Sequence, residues 1–326
     1  MAIRTFTTDR GDDGRRIDLV LRRHLAGVDA ATRTRVQRWI EDGDVTVNGR
    51  RVRRTASRIA VGDTIAIAIP NGAEAARSLM QAERVPVDLL FEDDYLLAAN
   101  KPSGLVVHPT HAHPTGTLMN ALLWHARRWP SIQRPSIVGR LDKLTSGIVI
   151  VAKTAAVHAA LQRTMAASAS EKDYLAVVYG RVKVATGRIA LRLSRDRTDR
   201  RRVAASEHTG AESLTQFVRL GHVAAPRVGL TLLRCRLVTG RTHQIRAHLA
   251  ARGWPLVGDP VYGEPCWTRI ADPQLADALR VFPRQALHAW RLALAHPVLR
   301  SRLELQAPLP SDMQGLLHVS GLGGFL

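Results

Sequence analysis

The sequence predicts a mixed α/β protein built from two domains of unequal size. Amphipathic helices alternate with β-branched segments along the chain, and a stretch without strand periodicity separates the first 70 residues or so from the rest. The chain has 326 residues, which corresponds to about two domains at roughly 150 residues each. Its 45% hydrophobic and 23% charged residues are typical of a globular protein.

The first domain is predicted at residues 14–75 and begins with two short helices. Apolar residues recur at four-residue spacing over 17–25, and a second helix spans about 32–41. Asn-Gly at 48–49 predicts a two-residue hairpin turn, and alternating isoleucines beyond it predict a further strand. The second helix carries three arginines that give this domain a basic surface: Arg33, Arg35 and Arg38.

Residues 76–86 are predicted to be a linker, residues 87–310 the second domain, and residues 311–326 a loose tail. The second domain mixes helices and strands. Its predicted elements are a strand near 96–99, a helix at 117–128, two β-branched segments within 137–153, a helix after Thr154, strands at 173–180 and 229–238, a helix at 243–253, and a hairpin at 291–308.

A large excess of arginine gives the chain a formal net charge of +19, and 42 of its 47 basic residues are arginine. This excess suits a polyanionic partner, because arginine forks bind phosphates and stack on bases. The segment 187–203 carries seven arginines, among them Arg195 and Arg201. A backbone-contacting arm is favoured there over a solvated charged loop.

Several classes of protein are excluded by missing motifs. The sequence has no P-loop, no GxGxxG after a strand, no GxSxG elbow and no HExxH. Cys235 and Cys266 lie 31 residues apart, which excludes a CxxC zinc site and a disulfide framework. The histidines at 108, 111 and 113 are too irregularly spaced to favour a metal site. We therefore expect a cytoplasmic monomer with no membrane association, metal or nucleotide cofactor.

The most informative stretch is GRLDKLTSG at 139–147, a polar loop between two β-branched segments. Its carboxylate, Asp142, would be held at the edge of a rigid sheet, where catalytic groups are often placed. Arg140 and Lys143 flank it, and cations stabilise a nearby carboxylate. Composition alone leaves two interpretations open, since an aspartate that only caps a turn is the more common case.

This loop resembles the HRLDxxTSG motif of the RluA/RluD family of pseudouridine synthases. Further stretches resemble that family's motifs in the same order, namely NKPSGLVVHP, EKDYLAVVYG, TGRTHQIRAHLAARGWPLVGDPVYG and RQALHAWRLALAHP. The resemblance covers about residues 87–310, and residues 14–70 resemble the S4 RNA-binding domain that many members carry. It implies a catalytic domain with a largely antiparallel central sheet.

The resemblance also implies a role for each matching residue. Asp142 matches the essential aspartate, Tyr174 the tyrosine that stacks on the target base, and Arg241 the basic residue that ion-pairs with the aspartate. Arg140 matches the arginine that enters the RNA when the base flips out. Leu256 is implied to lie in the apolar floor of the pocket.

The implied function is conversion of specific uridines in large-subunit (23S) ribosomal RNA to pseudouridine. The base leaves the ribose, turns over and rejoins through carbon 5, so the reaction requires no ATP, redox cofactor or metal. RNA is then the partner, and the base must be flipped out at a cost of a few kcal/mol. The alternatives are a synthase acting on transfer RNA and a non-catalytic S4-type RNA-binding protein. A metal-dependent hydrolase is the least favoured.

The chain departs from the family at Gly139, where members usually carry histidine. Glycine leaves the turn sterically free but supplies no side-chain hydrogen bond. The departure bears on the rigidity of the loop more than on the reaction, so we expect a Gly139→His variant to remain active.

Overall fold

A computed structural model describes residues 2–25, 31, 33–69, 81–110, 113–167, 169–223, 229–263 and 265–326. The chain divides into two compact units, Met1–Leu79 and Met80–Leu326. Within the predicted linker, residues 76–80 lie outside the described ranges, and residues 81–86 have no helix or strand. In the described chain no helix is long and apolar enough to span a bilayer.

The first unit combines a four-stranded antiparallel sheet with two helices. Its elements are β1 (Ala2–Thr7), α1 (Ile17–His24), α2 (Arg33–Asp42), β2 (Val45–Val47), β3 (Arg50–Arg51) and β4 (Thr64–Ile69). The strand order is β1-β4-β2-β3. Ile17 and Trp39 of the helices cluster with Ile65 and Ile67 of the sheet, which gives this unit its own core.

The two helices and the hairpin of the first unit agree with the sequence prediction. Asn48 and Gly49 both have positive φ, 51° and 78°, as the predicted two-residue turn requires. Strand β1 lies before the predicted start at residue 14 and pairs along its whole length with β4. That pairing joins segments about 60 residues apart, and local periodicity cannot reveal it.

The second unit is built on an 11-stranded sheet. Its strands are β5 (Leu89–Glu92), β6 (Leu96–Lys101), β7 (Ser136–Val138), β8 (Ser146–Ala152), β9 (Glu171–Tyr179), β10 (Thr186–Arg195), β11 (Val203–Ser206), β12 (Ala211–Val223), β13 (Leu230–Leu237), β14 (Leu287–Ala295) and β15 (Arg302–Gln306). Its α-helices are α3 (Leu118–His125), α4 (Ala155–Ala166), α5 (Gln244–Ala251), α6 (Pro273–Val281) and α7 (Ser311–Val319).

The main strand order is β11-β10-β12-β13-β9-β14-β8-β6-β5, with β15 paired to β14 and β7 to β8. All described pairings are antiparallel except the short one between β8 and β14. The expectation of a mixed α/β fold with a largely antiparallel sheet is therefore confirmed.

The close contact between β8 and β14 depends on Gly147. Its φ is +110°, and a Cβ at this position would lie 2.2 Å from the carbonyl oxygen of Ala289. Only glycine allows that approach. The loop that precedes β8 is thereby held beside the centre of the sheet.

Helix α4 begins where the sequence predicts, since the Thr154 hydroxyl accepts a hydrogen bond from the Val157 amide. The prediction of a loose tail at 311–326 is wrong. Helix α7 buries Met313, Leu316 and Leu317 in the core of the unit. The helix is short, and the partners that bury it come from distant parts of the chain.

Candidate active site

The aspartate of the GRLDKLTSG loop lies at a cleft of about 230 Å³. Asp142 stands between β7 and β8, and Tyr174 on β9 lines the same cleft together with Arg140 and Arg241. These positions are far apart in sequence, but β9, β14 and β8 are neighbours in the sheet. The fold thus brings together four of the five residues that the family resemblance singled out.

The arginine that pairs with Asp142 is Arg246. Its Nη1 lies 3.0 Å from Asp142 Oδ2. Arg241 instead donates its Nε–H to the carbonyl of Glu212 at 3.3 Å. The expected Arg241–Asp142 pair is therefore wrong, because Arg241 precedes α5 whereas Arg246 lies in its first turn, on a buried face. Both arginines belong to GRTHQIR, and the motif alone does not show which one faces inward.

A second carboxylate fixes the orientation of Arg246. Asp259 is fully buried and binds Arg246 Nε and Nη2 at 2.7 and 2.8 Å. Burial by itself lowers the pKa of Arg246, but its interactions with Asp259 and Asp142 have a larger effect, so the pKa is raised. The guanidinium is a fixed positive charge beside the Asp142 carboxylate, which is 17% exposed. Apart from its place in the PLVGD stretch, Asp259 had no signal that predicted this role.

The backbone of the Asp142 loop is held by a buried lysine. Lys101 Nζ donates to the carbonyls of Pro102, Leu105 and Lys143 at 2.8, 2.9 and 3.0 Å. Burial, with a further contribution from Arg284, lowers the pKa of Lys101 to about 7, whereas three carbonyl acceptors match the three N–H donors of the protonated form. This lysine lies in the NKPSG stretch and had no predicted role.

Tyr174 presents a half-buried neutral phenol ring to the cleft. Burial, followed by the charge of Asp142, raises its pKa. His243 Nε2 lies 3.7 Å from Asp142 Oδ2, and its Nδ1 lies 3.2 Å from the Tyr262 hydroxyl. Burial lowers the pKa of His243 despite the opposing effect of Asp142, which favours the neutral imidazole. The cleft therefore combines a carboxylate paired with a single guanidinium and an aromatic surface.

Leu256 does not belong to the floor of the cleft. It forms a β-bridge with Val178 and is buried in the core cluster behind Tyr174. The apolar lining comes instead from β-strand residues such as Ile148 and Leu237. The expectation for Leu256 is wrong because the bridge to β9 turns the residue toward the core.

Arg140 is exposed at the cleft and is free to reach a ligand. The preceding Gly139 has a φ of +81°, and a Cβ there would have no neighbour within 4 Å. A histidine side chain would meet no neighbour there, but the left-handed backbone would be strained with any residue other than glycine, so Gly139→His carries a local conformational cost.

The arginine-rich segment forms a folded hairpin beside the cleft. A depression of about 400 Å³ is lined by arginines of this hairpin and of the cleft edge, namely Arg195, Arg200, Arg201, Arg202 and Arg241. Arg201 forms a bidentate pair with Asp199. The Tyr262 hydroxyl accepts a hydrogen bond from the Val203 amide at 2.7 Å and so ties the hairpin to the site.

The remaining predicted RNA contacts, Arg33, Arg35 and Arg38, lie on α2 of the first unit. Arg33 and Arg38 are exposed, and Arg38 Nε lies 3.6 Å from Asp42 in the next turn. The three arginines outnumber the two carboxylates of this helix, Glu41 and Asp42, so its net charge is positive.

Comparison with known proteins agrees with this geometry. A family model described as RNA pseudouridylate synthase matches residues 95–251, and an S4 domain model matches residues 15–65. "Ribosomal large subunit pseudouridine synthase D" of Nitrosomonas europaea is 41% identical over 287 residues, which are 88% of this chain and 80% of that protein. The protein of the same name from Pseudomonas aeruginosa is 38% identical over 289 residues, with 88% and 87% coverage.

Among solved structures, "Human RNA Pseudouridylate Synthase Domain Containing 1" aligns with a TM-score of 0.55 at 25% identity, covering 72% of this chain and 87% of that one. The relatives span most of both chains, and the aspartate, tyrosine and arginine meet in one cleft. The chain therefore belongs to the RNA pseudouridine synthase family and carries an S4 domain at its amino-terminal end.

Proposed function

We propose that this enzyme converts specific uridines of large-subunit (23S) ribosomal RNA to pseudouridine. The observation that carries the proposal is the Asp142–Arg246 pair, 3.0 Å apart in a cleft that Tyr174 also lines. The choice of ribosomal RNA rests on the names of the relatives, which specify the large ribosomal subunit.

The arrangement suits an isomerisation in which the bond from uracil nitrogen to the ribose breaks and a bond from carbon 5 forms. A proton leaves carbon 5 and one is returned to nitrogen, so atoms and electrons balance without a co-reactant. Asp142 supplies the carboxylate that attacks or deprotonates. Tyr174 stacks on the extruded base, an interaction worth roughly 1–3 kcal/mol. Arg140 fills the position that the base vacates in the RNA.

Arginine surfaces on both units support binding to a folded RNA. Arg195 and Arg201 lie beside the cleft, and Arg33, Arg35 and Arg38 lie on the S4 helix α2. Phosphate contacts of this kind make binding fall steeply as the salt concentration rises. We also propose that the protein works as a monomer, and that it works in the cytoplasm, in keeping with the ribosomal substrate named in its relatives.

The proposal is tested by mapping pseudouridine in total RNA from cells that lack the gene. The strain is complemented with wild type, with Asp142→Asn, or with Asp277→Asn, an exposed aspartate of α6 that serves as a matched control. We expect particular uridines of 23S RNA to lose the modification and to regain it with wild type and the control only.

Three other outcomes count against the proposal at different levels. If pseudouridine is lost from transfer RNA instead, the proposed reaction stands but its substrate is transfer RNA. If Asp142→Asn restores the modification, the reaction does not require the Asp142 carboxylate. No change at any site would favour a non-catalytic RNA-binding protein.

A further inference from the structure

A second groove, of about 740 Å³, opens on the synthase unit at the opposite edge of the sheet from the arginine-rich hairpin. It lies between the segment that leads into β5 and the end of α3. Its lining residues are Arg84, Val85, Pro86, Val87, Leu89, Trp124, His125, Arg127 and Arg128. None of them takes part in the chemistry proposed above.

The groove carries three arginines whose charge is not cancelled by an ion pair among the described residues. Arg84, Arg127 and Arg128 are all exposed, and none forms an ion pair within the described ranges. The adjacent Glu92 is already paired, since Lys153 Nζ and His125 Nε2 each lie 2.8 Å from its oxygens. Three uncompensated guanidinium groups in one groove indicate an anionic ligand.

An exposed aromatic ring distinguishes this groove from other basic surfaces of the chain. Trp124 is 37% exposed, and Phe325 is the other exposed aromatic side chain of the described residues. Arg127 lies over the Trp124 ring, with its Cζ 4.4 Å from the ring centroid. Exposed aromatics beside arginines bind single-stranded nucleic acid, because every base offers a π-face for stacking.

We propose that this groove binds an unpaired segment of the substrate RNA away from the target uridine. Four strand-to-strand steps separate β9, which carries Tyr174, from β5 at the groove. At about 4.8 Å per step this is about 19 Å, so only an RNA that extends well beyond the target reaches it. The inference rests on the proposed function in taking RNA as the substrate. The combination of charge and exposed ring favours RNA over a peptide.

The test compares a triple variant, Arg84→Glu/Arg127→Glu/Arg128→Glu, with wild type on two RNAs. One is a transcript of complete large-subunit ribosomal RNA, and the other is a short stem-loop around a mapped target uridine. For the triple variant we expect kcat/KM on the long RNA to fall about tenfold or more, with the short stem-loop unaffected. The logarithm of affinity falls linearly with the logarithm of salt concentration, and each lost phosphate contact makes this slope less steep by about 0.7.

A matched control separates the groove from overall charge. The control variant Arg181→Glu/Arg269→Glu/Arg300→Glu changes the net charge of the chain by the same amount at three other exposed arginines.

A second test concerns the aromatic ring of the groove. Trp124→Leu keeps an apolar side chain but loses the stacking face, so it should weaken binding of the long RNA at least about fivefold, while Trp124→Phe retains most of the affinity.

Equal losses in the groove and control variants would overturn the proposal, because net charge alone would then explain the effect. Unchanged binding of the long RNA would also overturn it and would leave the groove to a protein ligand. Absence of pseudouridine formation by wild type on either RNA would instead count against the proposed function.

Discussion

At the scale of single residues, the site depends on one guanidinium that serves two carboxylates. Arg246 binds the buried Asp259 through two nitrogens and Asp142 through the third. Because two of its nitrogens bind Asp259, the guanidinium of Arg246 is fixed in orientation, and its Nη1 is directed toward Asp142. The position of the guanidinium beside Asp142 therefore depends on Asp259, which is not among the residues that line the cleft.

Replacement of Arg246 and Arg241 by glutamine should have different kinetic effects. Loss of a hydrogen bond to a charged group costs about 1.5–3 kcal/mol, so Arg246→Gln should lower kcat about 10-fold to 100-fold. Arg241→Gln should raise KM and leave kcat nearly unchanged, because Arg241 is exposed and donates to a carbonyl. Steady-state kinetics on the mapped substrate measure both.

Folding must be separated from catalysis in this comparison. Arg246→Gln leaves Asp259 buried without its partner, which costs about 3–5 kcal/mol of stability. The double variant Arg246→Gln/Asp259→Asn removes that buried charge and should recover stability in urea titrations without recovering kcat. If the double variant regains full activity, Arg246 acts only on folding.

At the scale of secondary structure elements, helix α7 is connected to the Asp142 loop through the segment before β14. Asp312 in α7 binds Arg284, which is 1% exposed. Arg284 also donates to the carbonyl of Leu144 at 3.4 Å. Gln285 Nε2 donates to Thr145 Oγ1 at 3.1 Å. The segment before β14 thus contacts α7 on one side and the Asp142 loop on the other.

Asp312→Asn should destabilise the protein by about 3 kcal/mol, because the buried Arg284 loses its countercharge. Asp277→Asn is the matched control, since Asp277 and Arg280 form an exposed pair in α6, and it should change stability by less than about 1 kcal/mol. Chemical denaturation of the full chain measures both. Equal effects of the two substitutions would show that α7 does not depend on this pair.

At the scale of the whole molecule, two buried histidines make stability depend on pH. His248 and His288 are fully buried, and burial lowers the pKa of each to about 4. The unfolded chain keeps the ordinary pKa of about 6.5. Between these values the unfolded state binds more protons than the folded state, so stability falls as the pH decreases from about 6.5 to about 4.

Each histidine contributes up to about 1.4 kcal/mol per pH unit in that window. Urea titrations at about pH 7, 5.5 and 4.5 measure the slope. A His248→Gln variant should lose about half of the histidine contribution, since glutamine retains hydrogen-bonding groups toward Ser213 and Thr215 but does not titrate. An unchanged slope in this variant would contradict the assignment.

The division into two units leads to a further prediction. Deletion of residues 1–75 removes the S4 domain, whose core is its own, together with Arg33, Arg35 and Arg38. We expect weaker binding to structured RNA and continued catalysis on a short target, because the cleft residues all lie in the second unit. Filter binding and single-turnover assays measure the two effects. Unchanged affinity for structured RNA would contradict the prediction.

The sequence alone determined the elements that depend on local patterns. The four-residue spacing in α1, the Asn-Gly turn and the Thr154 cap all act within a few residues. Helix α6 was not predicted, although Asp272 before Pro273 is a local signal for a helix start that could have revealed it. The motif around Asp142 pointed to the family because its residues belong to one loop and are therefore contiguous in the sequence.

Only the tertiary structure decided which side chains meet. Arg246 rather than Arg241 faces Asp142, Leu256 packs in the core, and α7 is buried rather than loose. Each of these depends on contacts between segments far apart in the chain, and such contacts are set by sheet order and helix register. Local periodicity carries no information about either, so the partners of Asp142 became visible only in the folded protein.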